Sequence, residues 1–262
     1  MMQNRQSPRP AVPTGLVRPV EVRAFDMARE EQFNIHAHDW AQFTYSAEGV
    51  LTVVTDQGRF LAPPAMAVWL PPGVMHTIET VSFAKFRSLY IAPDRIGGMP
   101  ETCTVLSVDP LLRNLILAAA EMPREWDEGG ADGRLMACLL DRIRAAMPAF
   151  LHLPLPNDPR LKAATDALLA DPSDRRPLEE IANSVGAAGR TLARLFQQET
   201  GMTFGAWRRQ RVLLSALERL SAGTPVTTVA LDLGYESPSA FIAMFRRTLG
   251  DTPTRYLQAD HR

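Results

Sequence analysis

The sequence predicts an α+β chain, with a barrel or sandwich of short strands first and an all-α half after it. Three observations predict this. Short apolar runs broken by glycine and proline signals fill the chain up to about Ile91. From Asp158 onward the apolar spacing is helical and several helix starts carry a cap followed by proline. Within that helical half one apolar pattern occurs twice.

Each element follows from local chemistry. QFTYSA, VLTVVT, RFLA, AVWLPP and KFRSLYIA are strand-length runs, and Gly49, Asp56-Gln57-Gly58, Pro63-Pro64 and Pro71-Pro72-Gly73 supply the turns. Many short strands at even spacing favour a barrel or sandwich. Asp109 followed by Pro110 reads as an N-cap with proline at the first helical position, opening LLRNLILAAAEM. A second helix is predicted over residues 131–147, with Leu135, Leu139, Ile143 and Ala146 on one face. LHLPLPNDPR is short and proline-rich and reads as a linker. Further on, Asp158-Pro159, Thr224-Pro225 and Ser237-Pro238 are predicted helix starts, and Gly201, Gly223 and Gly250 predicted stops.

Composition narrows the function classes. With 262 residues and 46% apolar content, the chain has room for one large or two ordinary domains and excludes a disordered polymer. Cys103 and Cys138 have no CxxC partner, which predicts reduced thiols in a cytoplasmic protein. No apolar run approaches the roughly 20 residues of a membrane span, so no membrane partner is expected. The opening MMQNRQSPRPAVPTGLVRP lacks the apolar stretch of a signal peptide and reads as a disordered arm, a passive tail even with Arg5, Arg9 and Arg18 in it. A net charge of −1 decides nothing about nucleic acid, but the halves differ: 14 basic against 12 acidic residues from Asp158 onward, 14 against 17 before it. Lys85 and Lys162 are the only lysines, and arginine favours bidentate contacts to phosphates and guanine edges.

The internal repeat carries the functional signal. Ile181, Ala182, Val185 and Gly186 match Val229, Ala230, Leu233 and Gly234. After one extra residue in the second copy, Phe196, Gly201, Thr203 and Trp207 match Phe245, Gly250, Thr252 and Tyr256. An apolar residue, a small alanine, a turn glycine and a second helix with an aromatic anchor form the grammar of a helix-turn-helix. Two copies joined by a helix over residues 204–220, with Phe204, Trp207, Leu214, Leu217 and Leu220 inward, would reach two successive major grooves about one DNA turn apart.

The stretch GYESPSAFIAMFRRTLGDTPTRY, residues 234–256, resembles the signature of the AraC/XylS transcription regulators, and the resemblance extends over about residues 160–258. It implies binding to double-stranded promoter DNA as an activator or repressor, usually as a homodimer, under a small-molecule effector, with RNA polymerase as a further partner where the outcome is activation. Carried onto this chain, the first recognition helix would present Arg190, Thr191, Arg194 and Gln197, and the second Ser237, Ser239 and Arg246. Ala243 stands where many relatives have a basic residue, and Pro238 and Ala240 offer no side-chain hydrogen bonds. The second unit is therefore expected to grip phosphates through its helix N-terminus and Ser237, while the first reads bases. Arg208, Arg209 and Arg211 are either phosphate contacts or a solvated face. Leu195, Phe196, Trp207, Phe241 and Phe245 are expected in the core.

Three of the five histidines fall in His36-Ala-His38 and in Pro71-Pro72-Gly73-Val74-Met75-His76. Two imidazoles at i and i+2 of a strand point the same way, and a third after a turn completes a metal-ligand set. This arrangement, with Gly49 further on, resembles the cupin barrel, except that Gln42 stands at that family's glutamate position. The amide removes a charge; three imidazoles and a neutral oxygen suit Zn²⁺, Ni²⁺ or Cu²⁺ better than an oxygenase iron. Alternatively, His36, His38, Gln42, His76 and Arg87, with Trp40, Trp69 and Tyr45 nearby, line an effector pocket.

Together these resemblances imply an N-terminal double-stranded β-helix (cupin) barrel followed by an all-α domain with two helix-turn-helix units. The expected boundaries are an arm over 1–20, a sensor barrel over 21–106, a helical dimerisation segment over 107–150, a linker over 151–158 and the DNA-binding domain over 159–258. The function they imply is sequence-specific transcription regulation under a small effector bound in the barrel. A metal-responsive regulator using His36, His38 and His76 is the alternative, and a cupin-type enzyme a weaker one; no catalytic residue is assigned and no cofactor beyond that divalent metal is expected.

Overall fold

Two antiparallel sheets build the first half, and a computed structural model describes residues 15–258. Most of the predicted arm thus lies outside the described residues. The strands are β1 (Val20–Met27), β2 (Ala41–Ser46), β3 (Leu51–Thr55), β4 (Gly58–Ala62), β5 (Met66–Leu70), β6 (His76–Glu79), β7 (Ala84–Ile91), β8 (Thr104–Ser107) and β9 (His152–Pro154). One sheet runs β1-β7-β2-β5-β8 and the other β6-β3-β4-β9. Pairing is nested, β2 with β7 and β3 with β6, the mark of a chain folded over on itself as a roll.

The larger sheet is covered on both faces, which is why β2 is buried along its whole length. Phe43 and Tyr45 point outward into a cluster with Leu112, Ile116, Leu139 and Ile143 of α1 (Pro110–Ala120) and α2 (Ala131–Arg144). Gln42 and Thr44 point the other way, into the roll. Alternation within a strand therefore separates apolar packing from a polar interior. Asp109 caps α1 as its sequence promised, accepting from Leu112 N–H at 2.7 Å.

Two sequence expectations need correction here. The stripe Leu135, Leu139, Ile143 packs inside the chain: Leu139 and Ile143 are buried and Leu135 joins the same cluster. That stripe is therefore not free to form a dimer contact. The segment read as a linker contains β9, which pairs with β4 in the register Gly58↔Pro154, Arg59↔Leu153, Phe60↔His152. Proline at the end of a short edge strand is compatible with pairing, because the missing N–H faces away from the ladder.

The second half is helical: α3 (Pro159–Ala170), α4 (Leu178–Ser184), α5 (Gly189–Thr200), α6 (Phe204–Ser221), α7 (Val226–Asp232), α8 (Pro238–Leu249) and α9 (Pro253–Gln258). Asp158 and Ser237 cap α3 and α8 in front of a proline. At the third such site Pro225 is itself the N-cap of α7, so Thr224 is one residue too early. Gly201 and Gly250 end α5 and α8 in the left-handed conformation, φ +68° and +86°, where a side chain would be strained.

Candidate nucleic-acid interface and histidine site

The two helical copies are built alike down to single hydrogen bonds. Ala187 N–H donates to Ala182 O at 2.9 Å in the first, and Tyr235 N–H donates to Ala230 O at 2.9 Å in the second. Gly186 and Gly234 make the turn at φ +68° and +76°. Ile181, Ala182, Val229 and Ala230 are buried, so each first helix lies close on its second helix. The aromatic anchors also correspond: Phe196 meets Trp207 at 5.8 Å, and Phe245 meets Tyr256 edge-on at 5.7 Å. Leu195, Phe196, Trp207, Phe241 and Phe245 are all core.

The outward faces of α5 and α8 hold the residues read from sequence. Arg190, Arg194 and Gln197 are exposed and Thr191 is half-buried. Arg194 Nη1 donates to Gln198 Oε1 at 2.9 Å, and Gln197 Nε2 donates to Gly201 O at 3.2 Å, so Gln197 already covers the end of its own helix. Ser239 and Arg246 are exposed on α8; Ser237 Oγ accepts from Ala240 N–H at 3.3 Å as the cap. The two units are joined by α6, whose 18 residues span about 27 Å.

Two arginines outside these faces fix their placement. Arg211 is buried and donates to Asp171 O and Pro172 O at 2.8 Å, and also to Leu168 O, closing the end of α3. It is a structural cap and not a phosphate contact. Arg175 Nη2 donates to Leu233 O at 2.5 Å and its guanidinium lies 5.1 Å from the Tyr235 ring. It ties the segment before α4 to the turn of the second unit. A Cβ on Gly234 would come within 2.9 Å of Arg175 Nε, a second reason for glycine there.

In the roll, His36, His38 and His76 offer ligand atoms all within 4.8 Å of one another. His36 and His38 do not lie on a regular strand. His36 forms an isolated bridge with His76, exchanging N–H···O bonds of 3.0 and 2.9 Å. Each Nδ1 faces a backbone oxygen: Asn34 O at 2.8 Å, Trp40 O at 2.7 Å and Val74 O at 2.9 Å. Gln42 Oε1 lies 2.9 Å from His38 Nε2 and 3.2 Å from His76 Nε2, and the Gln42 amide donates to Thr44 Oγ1 and Ser88 Oγ at 3.0 and 2.9 Å. Burial pushes the His76 imidazole down to about 4 and also lowers His38, so neutral rings are favoured.

A neutral ring has one N–H, yet His38 and His76 each face oxygen at both nitrogens. With Nδ1 donating to the backbone, the Nε2 lone pairs and the amide oxygen converge, an arrangement that fits a cation. Trp40 stacks on His38 with centroids 5.3 Å apart, and its indole N–H is buried without a hydrogen-bond partner among the described residues.

Residues 18–184 match the AraC-like ligand binding domain family and residues 181–259 match a helix-turn-helix domain family. The chain is 34% identical over 223 residues to the HTH-type transcriptional regulator NimR of Escherichia coli (strain K12), covering 85% of this chain and 81% of NimR. The chain belongs to the AraC family of transcriptional regulators. It is also 36% identical over 80 residues to the regulatory protein SoxS of the same organism, covering 30% of this chain and 75% of SoxS. Among solved structures it is similar to ToxT from Vibrio cholerae O395, at 10% identity and a TM-score of 0.40, covering 93% of this chain and 98% of that one.

As an AraC-family regulator the chain is a DNA-binding protein with an N-terminal ligand-binding half. The ligand candidates read from sequence do not all meet. Trp69 and Tyr45 face the outer cluster, where Trp69 Nε1 donates to Pro100 O at 2.8 Å. Arg87 lies on the opposite face of β7 from Ser88, the residue that holds Gln42. Sequence reading missed Thr44 and Ser88, and it missed Tyr90, whose ring meets His38 edge-on at 5.7 Å. Strand register was the signal: Tyr90 sits directly across from Gln42 and Ser88 across from Thr44.

Proposed function

We propose that the AraC-family chain reads a bipartite promoter site with α5 and α8, and that an effector bound beside His38, His76, Gln42 and His36 resets that reading. The observation that supports it most is the pair of matched helix-turn-helix units with Arg190, Arg194 and Arg246 on outward faces, locked to each other by α6 and Arg175. Base reading falls to Arg190, Thr191, Arg194 and Gln197, with Ser237, Ser239 and Arg246 positioning the second unit on the phosphates. The ligand-binding half would pair two chains through the outer face of α2, around Ala137 and Cys138, since its inner face is spent. Effector binding then changes the placement of the DNA-binding halves in the dimer, and RNA polymerase is a partner if the outcome is activation. Among the described residues no helix is long and apolar enough to cross a membrane; we place the chain in the cytoplasm.

Selection of bound duplexes from a random library by the full chain tests the reading. Enrichment of two short motifs about one helical turn apart is expected. A bound pool indistinguishable from the input would overturn it.

The converging Nε2 atoms and Gln42 Oε1 favour a second reading, in which the effector is a divalent metal. His36, His38 and His76 would hold it as neutral donors, with Gln42 as an oxygen partner, and borderline-soft Zn²⁺, Ni²⁺ or Cu²⁺ suit that set. Elemental analysis of chain purified without chelator separates the two: stoichiometric metal supports this reading, and none discards it.

A further inference from the structure

The outermost strand of the larger sheet, β1, pairs with β7 alone, without a bulge, from Val20 to Met27. Ala92 N–H donates to Pro19 O at 2.8 Å, one step beyond the pair Val20↔Ile91. The odd-numbered residues of β1 therefore turn their backbone groups to β7, and Val20, Val22, Ala24 and Asp26 turn theirs outward. Trp126 Nε1 uses the first of these, donating to Val20 O at 3.1 Å. No described segment pairs with Val22, Ala24 or Asp26, and Ala24 and Asp26 are exposed. Side chains on both faces hold the strand extended: Val22 packs on the outer cluster, and Phe25 stacks on Phe86 at 4.4 Å. A fixed edge of this length without proline, lysine or a bulge is a template for another strand.

We infer that β1 pairs with β1 of a second copy of this chain, antiparallel about a two-fold axis at Ala24. The register follows from the groups already occupied. With Ala24 opposite the partner's Ala24, Val22 meets the partner's Asp26, and every outward N–H and C=O between them finds a partner. A shift toward the start of the strand sets Val20 against the partner's Asp26, and Val20 O is held by Trp126. A shift the other way sets Val22 against the partner's Ala28, a residue whose N–H already donates to Glu31 Oε2 at 2.7 Å. Between the outward pairs Arg23 falls beside the partner's Phe25, so no like charges meet across the edge. The outer face of α2 is continuous with this edge, since Ala137 and Leu140 line one hollow with Pro19 and Val20. The inference rests on the dimer reading and deepens it: the larger sheet runs on from one copy into the next.

Single cysteines introduced into the full chain in a Cys138→Ala background, oxidised with diamide, test the register. Facing Ala24 residues would stand about 5.5 Å apart at Cα, inside the roughly 4.4–6.8 Å that a disulfide spans. The two Val22 residues, like the two Asp26 residues, would stand about 14 Å apart along the strands. Ala24→Cys is expected to form a disulfide-linked dimer at least ten-fold faster than Val22→Cys or Asp26→Cys. Ala24→Pro, which removes an N–H that β7 does not use, is expected to sediment as monomer where the native chain sediments as dimer. A native dimer with no preference for residue 24 in the cross-link, or an Ala24→Pro chain that stays dimeric, would overturn the edge pairing and leave α2 as the contact. A native chain that sediments as monomer would overturn the dimer reading along with it.

Discussion

Glu218, in the helix joining the two helix-turn-helix units, accepts a hydrogen bond from Thr52 Oγ1 of β3 at 3.1 Å. Arg59 of β4 lies 3.9 Å from the same carboxylate and pairs with Glu79, the last residue of β6. The first residue of β6 is His76. One strand therefore begins at the histidine cluster and ends at the contact that seats α6 on the barrel. Burial raises the Glu218 carboxyl above the ordinary glutamate range, by more than Arg59 and Thr52 lower it. A raised acid stabilises the fold fully below its unfolded value, and that contribution is lost as pH rises through the folded value. Glu218→Gln keeps an acceptor for Thr52 and removes the titration. The melting temperature of the variant relative to the native chain is expected to climb as pH rises from the ordinary glutamate range toward neutrality. A difference that stays flat with pH would contradict this account of Glu218.

Arg175 is the direct tie between the two reading units, through Leu233 O and the Tyr235 ring. Its removal leaves both units folded but less fixed relative to each other. Arg175→Ala is expected to weaken binding to a selected two-motif duplex by about 1 kcal/mol and to leave a one-motif duplex unchanged. Fluorescence anisotropy on the two duplexes measures both. Equal losses would mean that Arg175 serves only the stability of its own unit.

Arg194 projects from the exposed face of α5, one turn beyond Arg190. If it reads a base edge, Arg194→Ala costs about 1–3 kcal/mol on the selected site and little on random duplex. Competition binding with both duplexes at one salt concentration gives the comparison. A uniform loss across sequences would reassign Arg194 to a phosphate.

Leu139 is fully buried between α1, α2 and the outer face of the larger sheet. Leu139→Ala is expected to cost about 2–5 kcal/mol of stability in chemical denaturation. Its neighbour Cys138 is exposed, and Cys138→Ala is expected to change stability by less than about 0.5 kcal/mol. For the dimer, Ala137→Arg on the outer face is the informative substitution: sedimentation velocity should show monomer. A dimer that persists would move the contact off α2.

Much of this was legible in the sequence because it rests on local chemistry. Cap-proline pairs and terminal glycines mark helix ends through backbone geometry alone, and the repeat Ile-Ala…Gly against Val-Ala…Gly fixes both helix-turn-helix units. His36, His38 and His76 came together as spacing suggested, although a bridge across to His76, not a strand, brings His36 in. What stayed hidden depends on partners distant in the chain. HLP becomes β9 only because β4 offers an unpaired edge. Arg211 looks like a surface charge until the carbonyls that end α3 are placed around it. Arg87 and Ser88 are adjacent in sequence and lie on opposite faces of β7, which pleat phase decides and composition does not.

Gln42 offers the sharpest test of the histidine site, because one atom separates amide from acid. Its oxygen faces two imidazoles, and its nitrogen is held by Thr44 and Ser88, whose hydroxyls can rotate to donate instead. Gln42→Glu would therefore place a carboxylate against the Nε2 atoms of His38 and His76, beside His36, with its own hydrogen bonds preserved. Buried without a cation, that charge should lower the melting temperature. With Zn²⁺ or Ni²⁺ present, the charge should instead tighten binding about ten-fold or more over the native chain, read by competition with a chromophoric chelator. The melting temperature should recover on metal addition by more than the native chain gains. If the variant binds neither ion more tightly than the native chain, the imidazoles do not converge on a metal, and the cluster is left to an organic effector.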